Sequence, residues 1–144
     1  NGNAAVFVDA PHVYTFSMHG AKNYPFRKPP SDRDVPLPDG TGDAAYLAAL
    51  RHHLPEVLHE ARPDLVFYLG GIDVRAGDRF GRLALSRDGI ARRDRFVIET
   101  VLAAGIPLVL LLSGGYAATP EETADLHATM YREAAAVVAG AAAA

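Results

Sequence analysis

Two unbroken apolar segments, each flanked by stretches of helical periodicity, constrain the fold of this chain most strongly. The segments DLVFYL (64–69) and PLVLLL (107–112) show no polar alternation, as expected of strands covered on both faces. Apolar residues recur at helical spacing over 43–61, and helical patterns also cover 88–104 and 120–138. Strand and helix therefore alternate, which predicts a parallel sheet with helices on both faces in one α/β unit.

The amino-terminal part is predicted to contain two short strands and one long loop. β-branched and aromatic residues favour strands at 5–9 (AVFVD) and 13–17 (VYTFS). The stretch 18–41 is polar and contains five prolines, which predicts a stiff loop, and a loop of this length is more often functional than idle. At the other end, the alanine-rich stretch 140–144 is predicted to be a low-complexity tail.

Composition limits the possible classes of function. Of the 144 residues, 49% are apolar, but the apolar runs are too short to cross a bilayer, so we expect no membrane association. The net charge of −3 and the lack of a basic stripe argue against direct nucleic-acid binding. Arg92, Arg93 and Arg95 are expected to form a solvated helix face. Without cysteine, any metal must be held by His, Asp or Glu, and a reducing, cytoplasmic location is favoured.

Three of the predicted strands are followed by residues capable of chemistry. His19 follows the second strand, Asp73 and Asp78 follow the third, and Tyr116 follows the fourth. In open parallel sheets, ligands bind beyond the carboxyl ends of the strands, so these side chains could face one pocket. Each also has a purely structural explanation: a polar loop position for the histidine, turn formation for the aspartates, and ring packing for the tyrosine. The residues by themselves leave both interpretations open.

Two other patterns are interpreted as structural. His52 and His53 are adjacent on a helix, where neighbouring side chains point about 100° apart, so we expect that they do not share a metal ion. The glycine-rich stretch 70–81 has neither a dinucleotide-binding fingerprint nor a phosphate-binding lysine. Nucleotide binding would therefore rest on the fold class alone.

Four stretches together resemble the carboxyl-terminal half of the zinc-dependent histone deacetylase superfamily, and its bacterial, class IV-like members in particular. They are TFSMHGAKNYPF (15–26), DVPLPDGTGDAAYLAAL (34–50), PDLVFYLGGIDVRAGDRFGRLALS (63–86) and LSGGY (112–116). The resemblance implies an arginase-like three-layer α/β/α sandwich with a mainly parallel sheet, of which residues 1–139 would form a partial domain.

The resemblance also implies catalytic roles. Asp73 corresponds to an aspartate ligand of the zinc ion, and Tyr116 to the tyrosine that donates a hydrogen bond to the acetyl carbonyl. Amide hydrolysis builds negative charge on that carbonyl oxygen, and a phenol, which is protonated at neutral pH, can donate to it.

Further positions match the substrate tunnel and the ion sites of the family. Gly114 and Gly115 would let the backbone approach the acyl-lysine chain. Tyr24 resembles an aromatic wall of the tunnel, and Phe80 a residue at its rim.

A structural monovalent cation is implied as well. Ser17, through its hydroxyl, and Met18, through its carbonyl, match one such site. The carbonyl of Phe7 matches a second site. His19 fits the family pattern S-x-H, without a chemical step assigned to it.

The family's remaining zinc ligands, an Asp-x-His pair, and its catalytic His-His pair have no counterpart in this chain. Asn1–Ala4 resembles the end of the segment that follows the Asp-x-His ligands. The resemblance therefore implies a parent zinc amidohydrolase acting on acetyl-lysine or a small acetylated amine, and we expect this chain to be inactive alone. The alternative is a non-catalytic half-domain that binds or scaffolds. The oligomeric state stays open.

Overall fold

The computed structural model describes residues 2–142, so Asn1 of the predicted NGNA motif lies outside the described residues. Eight elements follow one another within this range. They are α1 (Gly2–Val6), β1 (Phe16–Gly20), β2 (Arg33–Leu37), α2 (Asp43–Ala61), β3 (Val66–Leu69), α3 (Arg87–Ala103), β4 (Leu108–Leu111) and α4 (Pro120–Ala142).

The described strands form two separate parallel pairs. In the first pair Phe16 of β1 lies opposite Arg33 of β2, and in the second Val66 of β3 lies opposite Leu108 of β4. Parallel pairing and the alternation of strands with helices confirm the predicted α/β class. The described residues do not, however, join the four strands into one continuous sheet.

Strand β2 was not predicted, because it lies inside the stretch interpreted as a proline-rich loop. Val35 and Leu37 are buried on one face of β2, while Asp34 and Pro36 point outwards. This alternation has the period of two that a half-buried strand requires. Pro36 is compatible with the strand because an edge strand leaves some of its N–H groups unpaired.

The predicted strand over 5–9 is also wrong, since Gly2–Val6 is helical and the chain then turns. The amide of Phe7 donates to the carbonyl of Asn3 at 2.9 Å and so continues the helical bonding. Alanine favours a helix, and a strand here would need a hydrogen-bonding neighbour, which the following turns do not provide.

The core lies between α2, α3 and one face of the strands. Buried side chains of α2 recur at helical spacing, and those of α3 face them. The core residues of the two helices are Tyr46, Leu47, Leu50, Leu54, Val57, Ile90, Val97, Ile98 and Val101. Helix α2 ends as predicted at Arg62, which takes a left-handed conformation before Pro63.

The second pair of strands is covered on one face only in the described chain. Val66 and Tyr68 of β3 pack against the core, whereas Phe67 and Leu69 are 57% and 41% exposed. Leu111 and Leu112 are exposed in the same way at the end of β4. The prediction that these strands are covered on both faces therefore does not hold within residues 2–142, and an apolar sheet face remains open.

Helix α4 continues to Ala142, beyond the predicted end near Val138. Alanine has the highest helix propensity, so the alanine-rich segment that was predicted to be a tail continues the helix instead. Within the described residues, no helix is both long enough and apolar enough to cross a membrane.

Gly89, in the first turn of α3, gives a test of how α2 and α3 are joined. The carboxylate of Asp43 accepts hydrogen bonds from the amide (2.8 Å) and hydroxyl (2.6 Å) of Ser86 and lies where a Cβ at position 89 would be. We expect Gly89→Ala to lower the free energy of unfolding by about 1 to 3 kcal/mol through this overlap.

Gly140 is the matched control, because it is also helical but has open space around its Cα. There, alanine should leave the free energy of unfolding unchanged or raise it by up to about 1 kcal/mol. Urea unfolding of both variants measures the difference, and equal stabilities would contradict the proposed junction.

Candidate active site

Two loops meet beyond the carboxyl ends of β3 and β4. They are the β3–α3 loop (70–86) and the β4–α4 loop (112–119). The amides of Ile72 and Asp73 both donate to the carbonyl of Gly114, at 2.6 and 3.2 Å. Backbone hydrogen bonds therefore join the loop that carries Asp73 to the loop that carries Tyr116, as expected when neighbouring parallel strands end at one edge.

The Asp73 side chain packs against the backbone of Gly114. A Cβ at position 114 would lie 2.7 Å from Asp73 Oδ2, so only glycine fits here without a shift. Burial, followed by the charge of Asp78, raises the pKa of the Asp73 carboxyl, while the positive charge of Arg93 opposes this rise. A partly buried carboxylate with a raised pKa favours a nearby cation.

Asp78 fixes the geometry of both loops. One of its carboxylate oxygens accepts from the amides of Phe80 and Gly81, at 2.9 and 2.8 Å, and the other accepts from the amide of Tyr116 at 2.7 Å. The turn function expected of Asp78 is thus present, and the same side chain also holds the backbone of Tyr116. The sequence pattern gave no sign of this second contact.

Tyr116 and Phe80 form an exposed aromatic pair. Their rings pack edge to face, with centroids 4.8 Å apart and planes at 90°. Tyr116 is 50% exposed and Phe80 60% exposed, so both rings keep a free surface. The phenol is thereby oriented by a neighbouring ring at the edge where the two loops meet.

Gly115 has a packing role in the chain as well. A Cβ at this position would overlap the side chain of Ile72, which is fully buried. Together, Gly114 and Gly115 allow the two loops to approach each other closely. Their predicted contact with the acyl-lysine chain remains a prediction.

Sequence comparison places the chain in a known protein family. Residues 1–133 match the family described as "Histone deacetylase domain". The chain belongs to the histone deacetylase family.

Related proteins show the extent of the similarity to that family. An uncharacterized protein of Picosynechococcus sp. is 45% identical over 134 residues, covering 93% of this chain and 45% of that protein. Histone deacetylase 2 of Arabidopsis thaliana is 36% identical over 119 residues, covering 81% of this chain and 31% of that protein. The chain thus spans less than half the length of these relatives.

A solved structure shows the same fold. The acetylpolyamine aminohydrolase of Burkholderia pseudomallei superimposes with a TM-score of 0.68 at 23% identity, covering 85% of this chain and 37% of that protein. The predicted deacetylase-like α/β fold, present here in part, is thereby confirmed.

The prediction that Arg92, Arg93 and Arg95 form a solvated helix face is wrong for Arg93. Arg92 and Arg95 are surface residues as expected, but Arg93 is only 3% exposed. Its Nη1 donates to the carbonyl of Gly71 at 2.6 Å, and its Nε donates to Asp94 at 2.9 Å. A buried guanidinium therefore holds the β3–α3 loop two residues before Asp73.

The Arg93–Asp94 pair is part of a buried polar group. The hydroxyl of Tyr68 donates to Asp94 at 2.6 Å, and the Arg93 guanidinium lies 5.9 Å from the centre of the Tyr68 ring. Burial disfavours the charge on Arg93, but the neighbouring Tyr68 and Asp94 outweigh it and raise the pKa of the guanidinium. In the sequence, this buried group could have been suspected from an arginine directly followed by an aspartate on a helix that also carries core residues.

Three buried atoms near this group lack a hydrogen-bond partner among the described residues. They are Arg93 Nη2, Asp94 Oδ2 and His127 Nδ1. Nη2 lies 2.8 Å from Asp94 Oδ1, a distance suited to an ion pair although the hydrogen-bond geometry is not met. Burial and the charge of Arg93 lower the pKa of His127, whereas Asp73 opposes this effect. His127 was not singled out from the sequence.

His19 belongs to a different part of the deacetylase fold from the one predicted. It lies within β1, not beyond it, and its Nδ1 is 2.9 Å from Ser17 Oγ and 3.9 Å from Asp34 Oδ1. Burial lowers the pKa of His19, and Asp34 opposes this. Neither of these contacts involves Asp73 or Tyr116.

The other predicted positions lie on the β1–β2 side of the chain. Tyr24 sits in the loop after β1, is 82% exposed, and is not part of the Phe80–Tyr116 pair. Met18 lies in β1 opposite Val35. Phe7 lines a cavity of about 710 Å³, and its carbonyl accepts from the amide of Ala10 at 3.0 Å. This cavity lies between the turns after α1 and the start of β2, not at the junction of the two loops.

The expectation that His52 and His53 point apart is wrong. Their ring centroids are 4.7 Å apart, and ligand atoms of His52, His53 and Glu56 all lie within 4.8 Å of one another. The side chains bend towards each other because both imidazoles turn towards the Glu56 carboxylate, at 3.7 and 3.8 Å.

Proposed function

We propose that this chain forms the part of a zinc-dependent deacetylase that supplies one zinc ligand and the tyrosine that polarises the amide carbonyl. The complete enzyme would hydrolyse the amide of acetyl-lysine or of a small acetylated amine. The observation that carries the proposal is the hydrogen-bonded junction of the two loops. It holds the partly buried Asp73 carboxylate against Gly114, two residues before Tyr116.

Asp73 fits the role of a single zinc ligand. Its carboxylate is partly buried, and its raised pKa reflects the cost of an unbalanced negative charge, which a divalent cation offsets. A catalytic zinc ion is held by about three protein ligands, so one carboxylate does not complete the site. The other ligands must come from outside this chain.

The residues of this chain then have distinct tasks. Bound zinc supplies Lewis-acid chemistry that polarises the amide carbonyl and lowers the pKa of water. The Tyr116 hydroxyl donates a hydrogen bond to the carbonyl oxygen as negative charge develops there. Asp78 fixes the Tyr116 backbone and Phe80 orients its ring, so the phenol needs little reorganisation.

The substrate is an acylated primary amine on an extended aliphatic chain. The exposed faces of Phe80 and Tyr116 offer apolar surface beside the carbonyl-binding phenol, with Tyr24 as a further wall. The two named relatives, a histone deacetylase and an acetylpolyamine aminohydrolase, support acetyl-lysine and acetylated polyamines alike.

Ser17, Met18 and Phe7 are proposed to bind structural monovalent cations. We place the enzyme in the cytoplasm, in keeping with the lack of cysteine in these 144 residues.

Turnover of a fluorogenic acetyl-lysine substrate tests the proposal. The complete deacetylase domain that contains this chain should be active, lose activity with a chelator and regain it with Zn²⁺. The 144-residue chain with added Zn²⁺ should show no turnover, because the ligand set is incomplete. Chelator-sensitive activity of the chain alone would refute the proposed division of ligands, and an inactive, zinc-free complete domain would favour a non-catalytic module.

A further inference from the structure

The outer face of α2 carries a cluster that the deacetylase reaction does not use. His52, His53 and Glu56 lie within two turns of the helix, and all three are at least partly accessible. Their nearest neighbour in charge is Arg33 of β2, whose Nη1 donates to Glu56 Oε2 at 3.2 Å. We call this cluster the α2 site.

The distances in the α2 site are longer than hydrogen bonds and slightly longer than the spacing of atoms that share one metal ion. His52 Nδ1 lies 3.7 Å from Glu56 Oε1, and His53 Nδ1 lies 3.8 Å from Glu56 Oε2. Both separations are too long for a hydrogen bond. Ligand atoms that share one zinc ion at about 2.1 Å lie roughly 3.0 to 3.5 Å apart, so small side-chain rotations suffice.

His53 supplies a second, independent observation. Its Nδ1 is buried and has no hydrogen-bond partner among the described residues, although a buried nitrogen of this kind is normally paired. The nitrogen faces the Glu56 carboxylate across a gap that a hydrogen bond does not span. An ion between them would give this nitrogen a partner, while sharing the Glu56 carboxylate with Arg33.

We propose that the α2 site binds one divalent transition-metal ion of the zinc, nickel or copper class. Two imidazoles and one carboxylate suit these borderline ions better than Mg²⁺ or Ca²⁺, which prefer oxygen ligands. Three protein ligands leave positions open for water or for a ligand from another molecule. The site is separate from Asp73, and the proposal does not depend on the deacetylase reaction.

Arg33 limits the affinity of the site. Its guanidinium occupies Glu56 Oε2 and also pairs with Glu60 at 2.9 Å. A bound dication has to share the carboxylate with this fixed positive charge. Removing the guanidinium should therefore strengthen metal binding, a change opposite to that expected from general loss of structure.

Cu²⁺ titration of the full 144-residue chain, followed by electron paramagnetic resonance at neutral pH, tests the proposal. An Asp73→Asn background removes copper that binds at the proposed catalytic ligand. We expect one Cu²⁺ ion with two imidazole nitrogens. His53→Ala and Glu56→Gln should each weaken binding by about tenfold or more, since even indirect disturbance of metal ligands costs this much. Arg33→Gln should strengthen it.

His59→Ala is the matched control, because His59 is exposed on the same helix but outside the cluster. It should leave the spectrum and the affinity unchanged, and circular dichroism should show the same helix content in all variants. Equal Cu²⁺ affinity in the parent chain, His53→Ala and Glu56→Gln would overturn the proposal. So would a two-nitrogen spectrum that persists without His52 and His53.

Discussion

Asp73→Asn in the complete deacetylase domain should reduce deacetylation by at least about a hundredfold, because changes to the groups that merely orient metal ligands already cost about 10- to 100-fold. Asparagine keeps the size of the side chain, so its packing against Gly114 should persist. It removes the negative charge that makes the carboxylate a zinc ligand. Metal content, measured on the same preparation, should fall together with turnover.

The stability of this variant separates loss of function from loss of fold. Burial raises the pKa of Asp73, so its charged form is disfavoured in the folded protein without metal. The asparagine side chain carries no charge, and the metal-free variant should therefore be at least as stable as the unchanged protein. Asp64→Asn, an exposed change just before β3, serves as the control and should retain activity. An Asp73→Asn protein with normal zinc content and turnover would contradict the assigned role.

Arg93→Met should lower the free energy of unfolding by about 3 to 5 kcal/mol, the usual cost of removing one partner of a buried ion pair. The substitution leaves the Asp94 carboxylate buried with Tyr68 as its remaining partner. It also removes the Arg93 hydrogen bond to the Gly71 carbonyl. Natural domains are stable by only about 5 to 15 kcal/mol, so the effect is large.

Arg92→Met provides the adjacent comparison, since Arg92 is exposed and pairs with Asp88 at 2.9 Å. It should change the free energy of unfolding by no more than about 1 kcal/mol. The double variant Arg93→Met, Asp94→Leu should recover part of the loss, because it leaves no unpaired buried charge. Urea denaturation measures all three variants. Arg93→Met and Arg92→Met with the same midpoint and slope would show that the buried pair does not stabilise the fold.

The elements with long, regular patterns were predictable, and those fixed by distant contacts were not. Helix α2 was predicted within a residue because its apolar positions repeat over five turns and Arg62–Pro63 ends them. Strand β2 was missed because its short alternation lies among prolines, and only pairing with β1 makes it a strand. The helix at Gly2–Val6 was mistaken for a strand because its 5 residues are too few for hydrophobic periodicity to distinguish a helix from a strand.

The same distinction holds for the candidate active site. The resemblance to deacetylases indicated Asp73 and Tyr116, and the topology brought their loops together. What holds them could not be read from the sequence. Asp78 contacts Tyr116 across 38 residues of chain, and Arg93 reaches back to Gly71 from the middle of a helix. Both are charged residues in otherwise ordinary local patterns. Asp78 gains its partner only where the two loops meet, and Arg93 only where α3 packs against the β3–α3 loop.

Zinc-edge anomalous diffraction from crystals of the complete domain with an acetyl-lysine substrate analogue tests the central claim most directly. We expect the ion about 2.0 to 2.2 Å from an Asp73 carboxylate oxygen. The Tyr116 hydroxyl should lie within hydrogen-bonding distance, about 2.5 to 3.0 Å, of the analogue's carbonyl oxygen. An anomalous peak that has no contact with Asp73, or an analogue bound away from Tyr116, would contradict it.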